Sequence, residues 1–304
     1  MTKVQVTNPK GTHIPVMLSE VGRVAEPVLS QSGSRYLDAT FGRGGHFQYI
    51  WERFGQFLAQ AVAMDQDAAA IAFANQSYRD LVANQKVISV HGNFSQFSVD
   101  ELGYFDFILM DLGVSSPQLD DPSRGFSFYY DGPLDMRMDQ TVSTTAADIV
   151  NYWGEKELIT LFQTFGEIRA PYKVVRAIIH ERRKSPFRST RQLAEIIEKV
   201  EGWRQKGRHP ATLYFQALRI EVNQELNHLK EGLPKLVAGL KPKGRLAVLT
   251  FHSLEDRIVK WMFKQDLATL GKPLFKKVIE PTEQEVVQNP RARSAKLRVF
   301  ERFS

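Results

Sequence analysis

The hydrophobic pattern of this chain changes character twice along its length. Apolar runs that predict strands alternate with stretches of helical spacing up to about residue 110, and this alternation resumes near residue 211. The predicted strands cover residues 35–41, 58–64, 87–91, 105–110 and 244–251. Alternation of this kind favours an α/β fold, with a parallel sheet and helices on both of its faces.

The middle of the chain has a purely helical pattern. No strand-like run interrupts residues 120–219, and the predicted helices there cover residues 145–152, 155–165, 173–183 and 190–200. We therefore predict one sheet domain, residues 1–119 and 216–304, interrupted by an inserted helical domain, residues 120–215.

The return to the sheet domain is predicted to run through a long helix. This helix covers residues 211–240 and is broken at Pro234, because proline cannot donate the backbone hydrogen bond of a helix interior. Two late β-like runs, residues 274–279 and 296–303, could close the sheet as a hairpin. Ser253, with Asp256 three residues later, predicts the N-cap of the helix that follows the fifth strand.

The composition narrows the function classes. The 304 residues include no cysteine, which excludes disulfides, thiolate metal sites and cysteine nucleophiles and favours a reducing compartment. The N-terminus lacks the apolar segment of a signal peptide, and no apolar run approaches the roughly 18 residues of a membrane span. We expect a soluble cytoplasmic protein. The seven histidines show no metal-ligand spacing, so no metal site is expected.

Positive charge is concentrated in the predicted insert. The net charge is +6, and residues 169–191 carry eight Lys or Arg against the single acid Glu181, or +7. Clustered basic side chains neutralise phosphates and supply most sequence-independent affinity for nucleic acid. The sharpest cluster, and the predicted RNA-binding set, is Arg182, Arg183, Lys184, Arg188 and Arg191. An ordinary solvated helix face is the alternative.

A glycine-rich turn follows the first predicted strand. Gly42, Gly44 and Gly45 would let the backbone approach a ligand, and Asp65 follows twenty residues later, where such folds hydrogen-bond a ribose. The dinucleotide fingerprint would need glycine at position 47, where this chain has Phe47. The pattern therefore favours a nucleoside cofactor without phosphates, such as S-adenosylmethionine, over a dinucleotide. An ordinary strand-to-helix turn is the alternative.

The end of the fourth predicted strand is the first candidate for chemistry. Asp111 follows the buried run 105–110, at the position where open α/β sheets bind ligands, and Ser115 and Ser116 come directly after it. The two serines are candidates for holding a substrate base, or they form a simple turn. His46 and Phe94 are further candidates for ligand contacts; a partly exposed histidine and a core phenylalanine are the alternatives.

These motifs together resemble the bacterial ribosomal RNA small subunit methyltransferase H (MraW) family. The stretches that carry the resemblance are residues 13–16, 38–46, 109–118, 124–128, 131–139, 251–257 and 289–297. It implies a class I methyltransferase fold and transfer of a methyl group from S-adenosylmethionine to the N4 amino group of a cytidine in 16S ribosomal RNA. It also implies cofactor contacts by Gly44, Gly45, His46, Asp65, Phe94, Asp111 and Gln118. Ala39, Phe47 and the pair Leu213 and Tyr214 depart from the family pattern.

Methyl transfer from a sulfonium is a one-step displacement, so alignment and charge matter more than a covalent nucleophile. Asp111 is expected to position the donor and the target amino group. The cytidine has to leave its stack, and it could stack on Phe126, Phe128, Tyr129 or Tyr130, of which at least two are expected in the core. A methyltransferase of another amino group and a cofactor-binding ribosome-assembly factor are the alternative functions. The sequence leaves open whether the protein forms a homodimer.

Overall fold

A seven-stranded sheet organises the first and last parts of the chain. The computed structural model describes residues 15–203 and 209–304, so His13 of the motif 13–16 lies outside the described residues. The strands are β1 (Ser34–Asp38), β2 (Leu58–Asp65), β3 (Val87–His91), β4 (Phe105–Asp111), β5 (Leu240–Thr250), β6 (Gly271–Pro273) and β7 (Lys296–Arg302). Their order is β3-β2-β1-β4-β5-β7-β6. The five strands from β3 to β5 are parallel, and β7 runs antiparallel to both of its neighbours. The predicted α/β class and parallel sheet are confirmed.

The four helices predicted between residues 145 and 200 form within one residue of their predicted bounds. Around the sheet the helices are α1 (Leu18–Leu29), α2 (Gly45–Phe54), α3 (Ala68–Ser77), α4 (Arg79–Ala83) and α5 (Val99–Leu102). The helical middle of the chain contains α6 (Ser116–Asp120), α7 (Ala146–Tyr152), α8 (Glu155–Thr164), α9 (Tyr172–Arg182), α10 (Thr190–Glu201) and α11 (Thr212–Val222). The last three are α12 (Glu225–Ala238), α13 (Ser253–Trp261) and α14 (Glu283–Gln288). In the described part of the chain, no helix has the length and apolar character needed to cross a bilayer.

The chain folds into two compact units. One unit consists of Met1–Gly113 with Leu226–Ser304, and the other of Val114–Glu225, whereas the sequence placed the boundaries at residues 119/120 and 215/216. Helix α11 accounts for most of the difference at the second boundary. Its side chains Tyr214, Phe215 and Leu218 are buried in the core of the helical unit, so this helix is part of that unit.

The predicted break at Pro234 is wrong. Pro234 lies inside α12, and the break occurs at Asn223 and Gln224, where Gln224 has a φ of 48°. The buried Asn223 side chain accepts from the Met138 N–H at 2.7 Å and donates to the Met136 carbonyl at 2.8 Å. These bonds hold the end of α11 to a distant loop of the helical unit, and the chain turns there.

The late hairpin forms with a shifted first strand. β6 ends at Pro273, and within the predicted run 274–279 the Leu274 N–H donates to the Val299 carbonyl while Ile279 makes an isolated bridge with Leu297.

The predicted N-cap at Ser253 is also wrong by one residue. His252 is the N-cap of α13, and the Glu255 carboxylate accepts from the Phe251 and His252 N–H groups at 2.8 and 3.3 Å.

Candidate active site

Three neighbouring strands of the sheet unit end in a carboxylate at the same edge. β2 ends with Asp65, β1 with Asp38 and β4 with Asp111. The chain fills the sheet outward from β1 through β2 to β3, then continues with β4 on the other side of β1. Ligands of open α/β sheets bind at the carboxyl ends of strands beside such a switch point. Asp38 and Asp111 flank it.

The two carboxylate oxygens of Asp111 have different surroundings. Its N–H donates to Thr40 Oγ1 at 2.6 Å, which fixes the strand end, and its Oδ2 lies 3.3 Å from His46 Nδ1. Its Oδ1 is buried and has no hydrogen-bond partner in the described part of the chain. Because a buried polar atom without a partner costs about 1–3 kcal/mol, such an atom in a native fold calls for an explanation. A hydrogen-bond donor of a ligand would supply it.

His46 is fixed by contacts at both ring nitrogens. It lies in the first turn of α2 and is buried, with Nε2 2.9 Å from the Val16 carbonyl oxygen and Nδ1 facing Asp111. Both facing oxygens only accept, so the doubly protonated imidazolium satisfies both contacts. Burial pulls the pKa of His46 down, but the hydrogen bond and charge of Asp111 outweigh it and the pKa is raised above its ordinary value.

Asp38 belongs to the same group, although sequence reasoning did not select it. Its carboxylate is 1% exposed and accepts from the Tyr36 hydroxyl and the Thr40 N–H, each at 3.2 Å. Burial raises the pKa of Asp38 to about 7, against an opposing effect of the His46 charge. The sequence pattern did not indicate this role, because the predicted strand 35–41 continues past Asp38, whereas β1 ends there.

The glycine turn has the conformation that its residues suggest. Gly42 and Gly44 have φ values of 54° and 69°, in the left-handed region that favours glycine. A Cβ atom on Gly45 would lie 2.3 Å from Pro15 Cγ, so this position is closed to larger residues by close packing. Phe47 is fully buried, with its ring 5.6 Å from that of Tyr36 and 5.0 Å from that of Tyr78. It therefore builds the core under the turn.

Asp65 fastens this turn to β2. Its Oδ2 accepts from the Gly42 N–H at 2.7 Å and its Oδ1 from the Asp67 N–H at 2.8 Å, while burial raises its pKa to about 6. Each carboxylate oxygen accepts through two lone pairs, so both can also accept from a ligand hydroxyl. The predicted ribose contact stays a prediction.

Phe94 occupies a core position. It is 8% exposed and packs with the apolar side chains beneath the sheet, so close to α12 that a Cβ atom on Gly232 would lie 2.6 Å from its ring. This agrees with the core alternative; a contact with the adenine of a cofactor stays a prediction.

The remaining predicted ligand residues lie in the helical unit. Ser115 is the N-cap of α6, and its N–H donates to the buried Gln118 side chain at 2.9 Å. Ser115, Ser116 and Gln118 thus form a capped helix start, and their predicted contacts with base and cofactor stay predictions.

The expectation that at least two of the four aromatic residues between 126 and 130 are core is confirmed. Phe126 and Phe128 join the core of the helical unit, while Tyr129 and Tyr130 are exposed.

The predicted RNA-binding cluster contains side chains with different local roles. Arg182 donates through Nη1 to the Val150 and Trp153 carbonyls at 2.8 and 2.7 Å, which fastens the end of α7 to α9. Lys184 pairs with Glu181 at 2.9 Å. Arg183, Arg188 and Arg191 are exposed like Lys184, but among the described residues they have no ion pair. These three therefore have the most accessible charges of the set.

Comparison with known proteins gives a consistent result. The family model described as "MraW methylase family" matches residues 10–303. A protein named "Ribosomal RNA small subunit methyltransferase H" from Bdellovibrio bacteriovorus is 51% identical over 290 residues, covering 95% of this chain and 88% of that protein. Proteins of the same name from Carboxydothermus hydrogenoformans and Neisseria meningitidis serogroup B are 44% and 41% identical, covering 96% and 95% of this chain and 98% and 92% of theirs.

Proposed function

We propose that this chain, which belongs to the MraW methylase family, methylates the N4 amino group of a cytidine in the 16S RNA of the small ribosomal subunit. The protein is an S-adenosylmethionine-dependent ribosomal RNA methyltransferase with a class I α/β fold. The assignment of the substrate to the small subunit follows from the names of the relatives. The assignment of the methylated atom to N4 follows from the sequence motifs that resemble the family. Because ribosomal RNA is the substrate, we place the reaction in the cytoplasm.

The strand-end carboxylates fit this cofactor. S-adenosylmethionine carries a positive charge and hydroxyl and amino donors, so its site needs acceptors and negative charge. Asp65 and Asp111 supply acceptors, and the buried Asp111 Oδ1 without a partner is the observation that carries the proposal. The turn around Gly44 and Gly45 would allow close approach of the nucleoside. Phe47 occupies the position where a pyrophosphate-binding turn requires glycine, so a dinucleotide is disfavoured.

When bound, the cofactor would supply a methyl group on a sulfonium: the amino nitrogen would bond to the methyl carbon as the carbon–sulfur bond breaks, the thioether would leave, and one amino proton would pass to solvent. The amino nitrogen of cytosine has its lone pair delocalised into the ring. We assign Asp111 Oδ1 to accepting a hydrogen bond from the amino group and thereby fixing its orientation. His46 holds the other carboxylate oxygen through Nδ1, at 3.3 Å, and is itself fixed by the Val16 carbonyl oxygen. These contacts fix the Asp111 carboxylate in place, which suits a role in holding the amino group.

The helical unit is proposed as the RNA-recognition part. The accessible charges of Arg183, Arg188 and Arg191 suit phosphate contacts, whereas Arg182 is occupied by backbone carbonyls.

The test is transfer of a labelled methyl group. The protein is incubated with methyl-labelled S-adenosylmethionine and with small subunits, or free 16S RNA, from cells that lack this protein, and the RNA is digested to nucleosides. We expect the label in N4-methylcytidine. Label in another nucleoside or in protein would identify a different amino substrate, and absence of label with retained RNA binding would favour an assembly factor.

A further inference from the structure

A basic depression lies on the sheet unit, at the edge where β7 and β6 close the sheet. We use this name for a solvent-open hollow whose lining includes Lys260, Lys264, Phe275, Lys276, Lys277 and Arg298, together with the buried Phe263. The end of α13 and the loop after β6 provide most of this lining. Lys264 belongs to a π-helical turn, Met262–Asp266, a rare conformation that is frequent at functional sites.

The charge of this surface is not balanced locally. Residues 260–277 contain five lysines and one acid, Asp266, so they carry +4 of the net +6 of the chain. The four lysines of the basic depression are exposed, and among the described residues none of them has a carboxylate within ion-pair distance. Arg298 differs, because it donates to Asp256 at 2.7 and 3.1 Å.

Two basic side chains of β7 differ from these lysines, because Lys296 and Arg298 both pair with Asp256. Arg291 and Arg293, which precede β7, are exposed like the lysines of the basic depression.

An aromatic ring is exposed among these lysines. The Phe275 side chain is 43% exposed and lies directly before Lys276 and Lys277 in the chain. An apolar ring flanked by ammonium groups suits a ligand that combines a flat π surface with negative charge. Single-stranded RNA has this combination, because its bases stack on aromatic rings while its phosphates contact lysines.

We propose that the basic depression binds a single-stranded segment of the ribosomal RNA substrate, with lysines on the phosphates and Phe275 against a base. This inference rests on the proposed function, since it assumes that the substrate is RNA. It adds a contact on the sheet unit to those expected from the helical unit. An acidic protein segment would fit the lysines but not the exposed ring.

Three variants separate the parts of this surface. Lys276→Gln with Lys277→Gln removes two charges, Phe275→Ala removes the ring, and Lys230→Gln with Lys243→Gln is the matched control at two exposed lysines elsewhere on the sheet unit. The affinity for unmethylated 16S RNA is measured over a range of salt concentrations for each variant and the parent protein. Titration with S-adenosylmethionine reports whether the cofactor site is intact.

The two changes should have different signatures. Each phosphate contact to a single strand contributes roughly 0.7 to the slope of log affinity against log salt, so the 276/277 variant should lower this slope by about 1.4. Phe275→Ala should weaken binding by roughly 5- to 150-fold with an unchanged slope, from the usual worth of one stacked base. The control variant should match the parent, and all variants should bind S-adenosylmethionine normally.

The outcomes distinguish this inference from the proposed function. If the parent methylates cytidine N4 but the 276/277 variant has the salt slope of the control, the basic depression is not an RNA contact. If the variants bind free RNA normally and lose affinity only for assembled subunits, the partner is a ribosomal protein and the inference is overturned. If the parent transfers no methyl group to RNA, the proposed function itself fails.

Discussion

Replacing Asp38 by Asn should remove a large pH dependence of stability. Asp38 is buried, and its pKa of about 7 in the folded protein lies above the value near 3.9 of an unfolded chain. Between these two values the folded protein keeps a proton that the unfolded chain releases. Asp38 therefore stabilises the fold below about pH 4, and this contribution is lost as the pH rises towards 7.

The size of the effect follows from the two pKa values. Their difference of about three units, at 1.36 kcal/mol per unit, makes the full loss of stability about 4 kcal/mol. Between pH 5 and pH 8 the loss should be about 3 kcal/mol, because part of the change occurs below pH 5. Asn has the same shape as Asp and does not titrate, so Asp38→Asn should lack this loss.

Urea unfolding at pH 5 and pH 8 measures the difference. The Tyr36 hydroxyl and Thr40 N–H must adapt to an amide, which can shift the stability of the variant by about 1 kcal/mol at every pH, so the comparison uses the change with pH rather than the absolute value. Asp80→Asn, at an exposed position, is the matched control. Equal pH dependence in the parent and in Asp38→Asn would refute the reasoning.

Further predictions concern the glycine turn, the histidine and the arginines. Gly44→Ala should lower stability by about 1–2 kcal/mol in thermal unfolding, because φ is 69° there, and an unchanged melting temperature would contradict the assigned turn. The methylation rate of the parent should fall as the pH rises through the raised pKa of His46. The His46→Gln variant should have a lower methylation rate that does not fall over this pH range. An unaltered pH profile in this variant would exclude His46 as the group that holds Asp111. Arg182→Gln should lose about 2 kcal/mol of stability through its two carbonyl contacts, whereas Arg183→Gln should keep stability and weaken RNA binding. Identical effects of the two substitutions in unfolding and RNA-binding assays would contradict the distinction.

The sheet could be predicted from the sequence because its strands are buried and their pattern is local. In β4, the residues Phe107 and Met110 are fully buried, so the apolar run 107–110 marks the strand and Asp111 marks its end. β1 differs, because the predicted strand 35–41 continues past Asp38 and the pattern did not mark this residue as a strand end.

The errors arise from contacts between residues distant in sequence. Asn223 ends α11 because its side chain bonds to Met136 and Met138, more than eighty positions away, and no local pattern contains this information. The local role of Arg182 is a second feature that the sequence pattern does not show, since this residue of the basic run bonds to the carbonyl of Val150, while its RNA contact stays a prediction. A charge count cannot separate such a residue from its exposed neighbour Arg183.

The buried Asp111 Oδ1 is the centre of this account, and Asp111→Asn tests it most directly. Cofactor affinity by calorimetry and the rate of N4-cytidine methylation are measured together for the variant, the parent and the control Asp80→Asn. Because a hydrogen bond to a charged group contributes about 1.5–3 kcal/mol, we expect the variant to lose roughly 10- to 150-fold in methylation rate or cofactor affinity. Near-parental values of both quantities in Asp111→Asn would contradict the role assigned to this carboxylate.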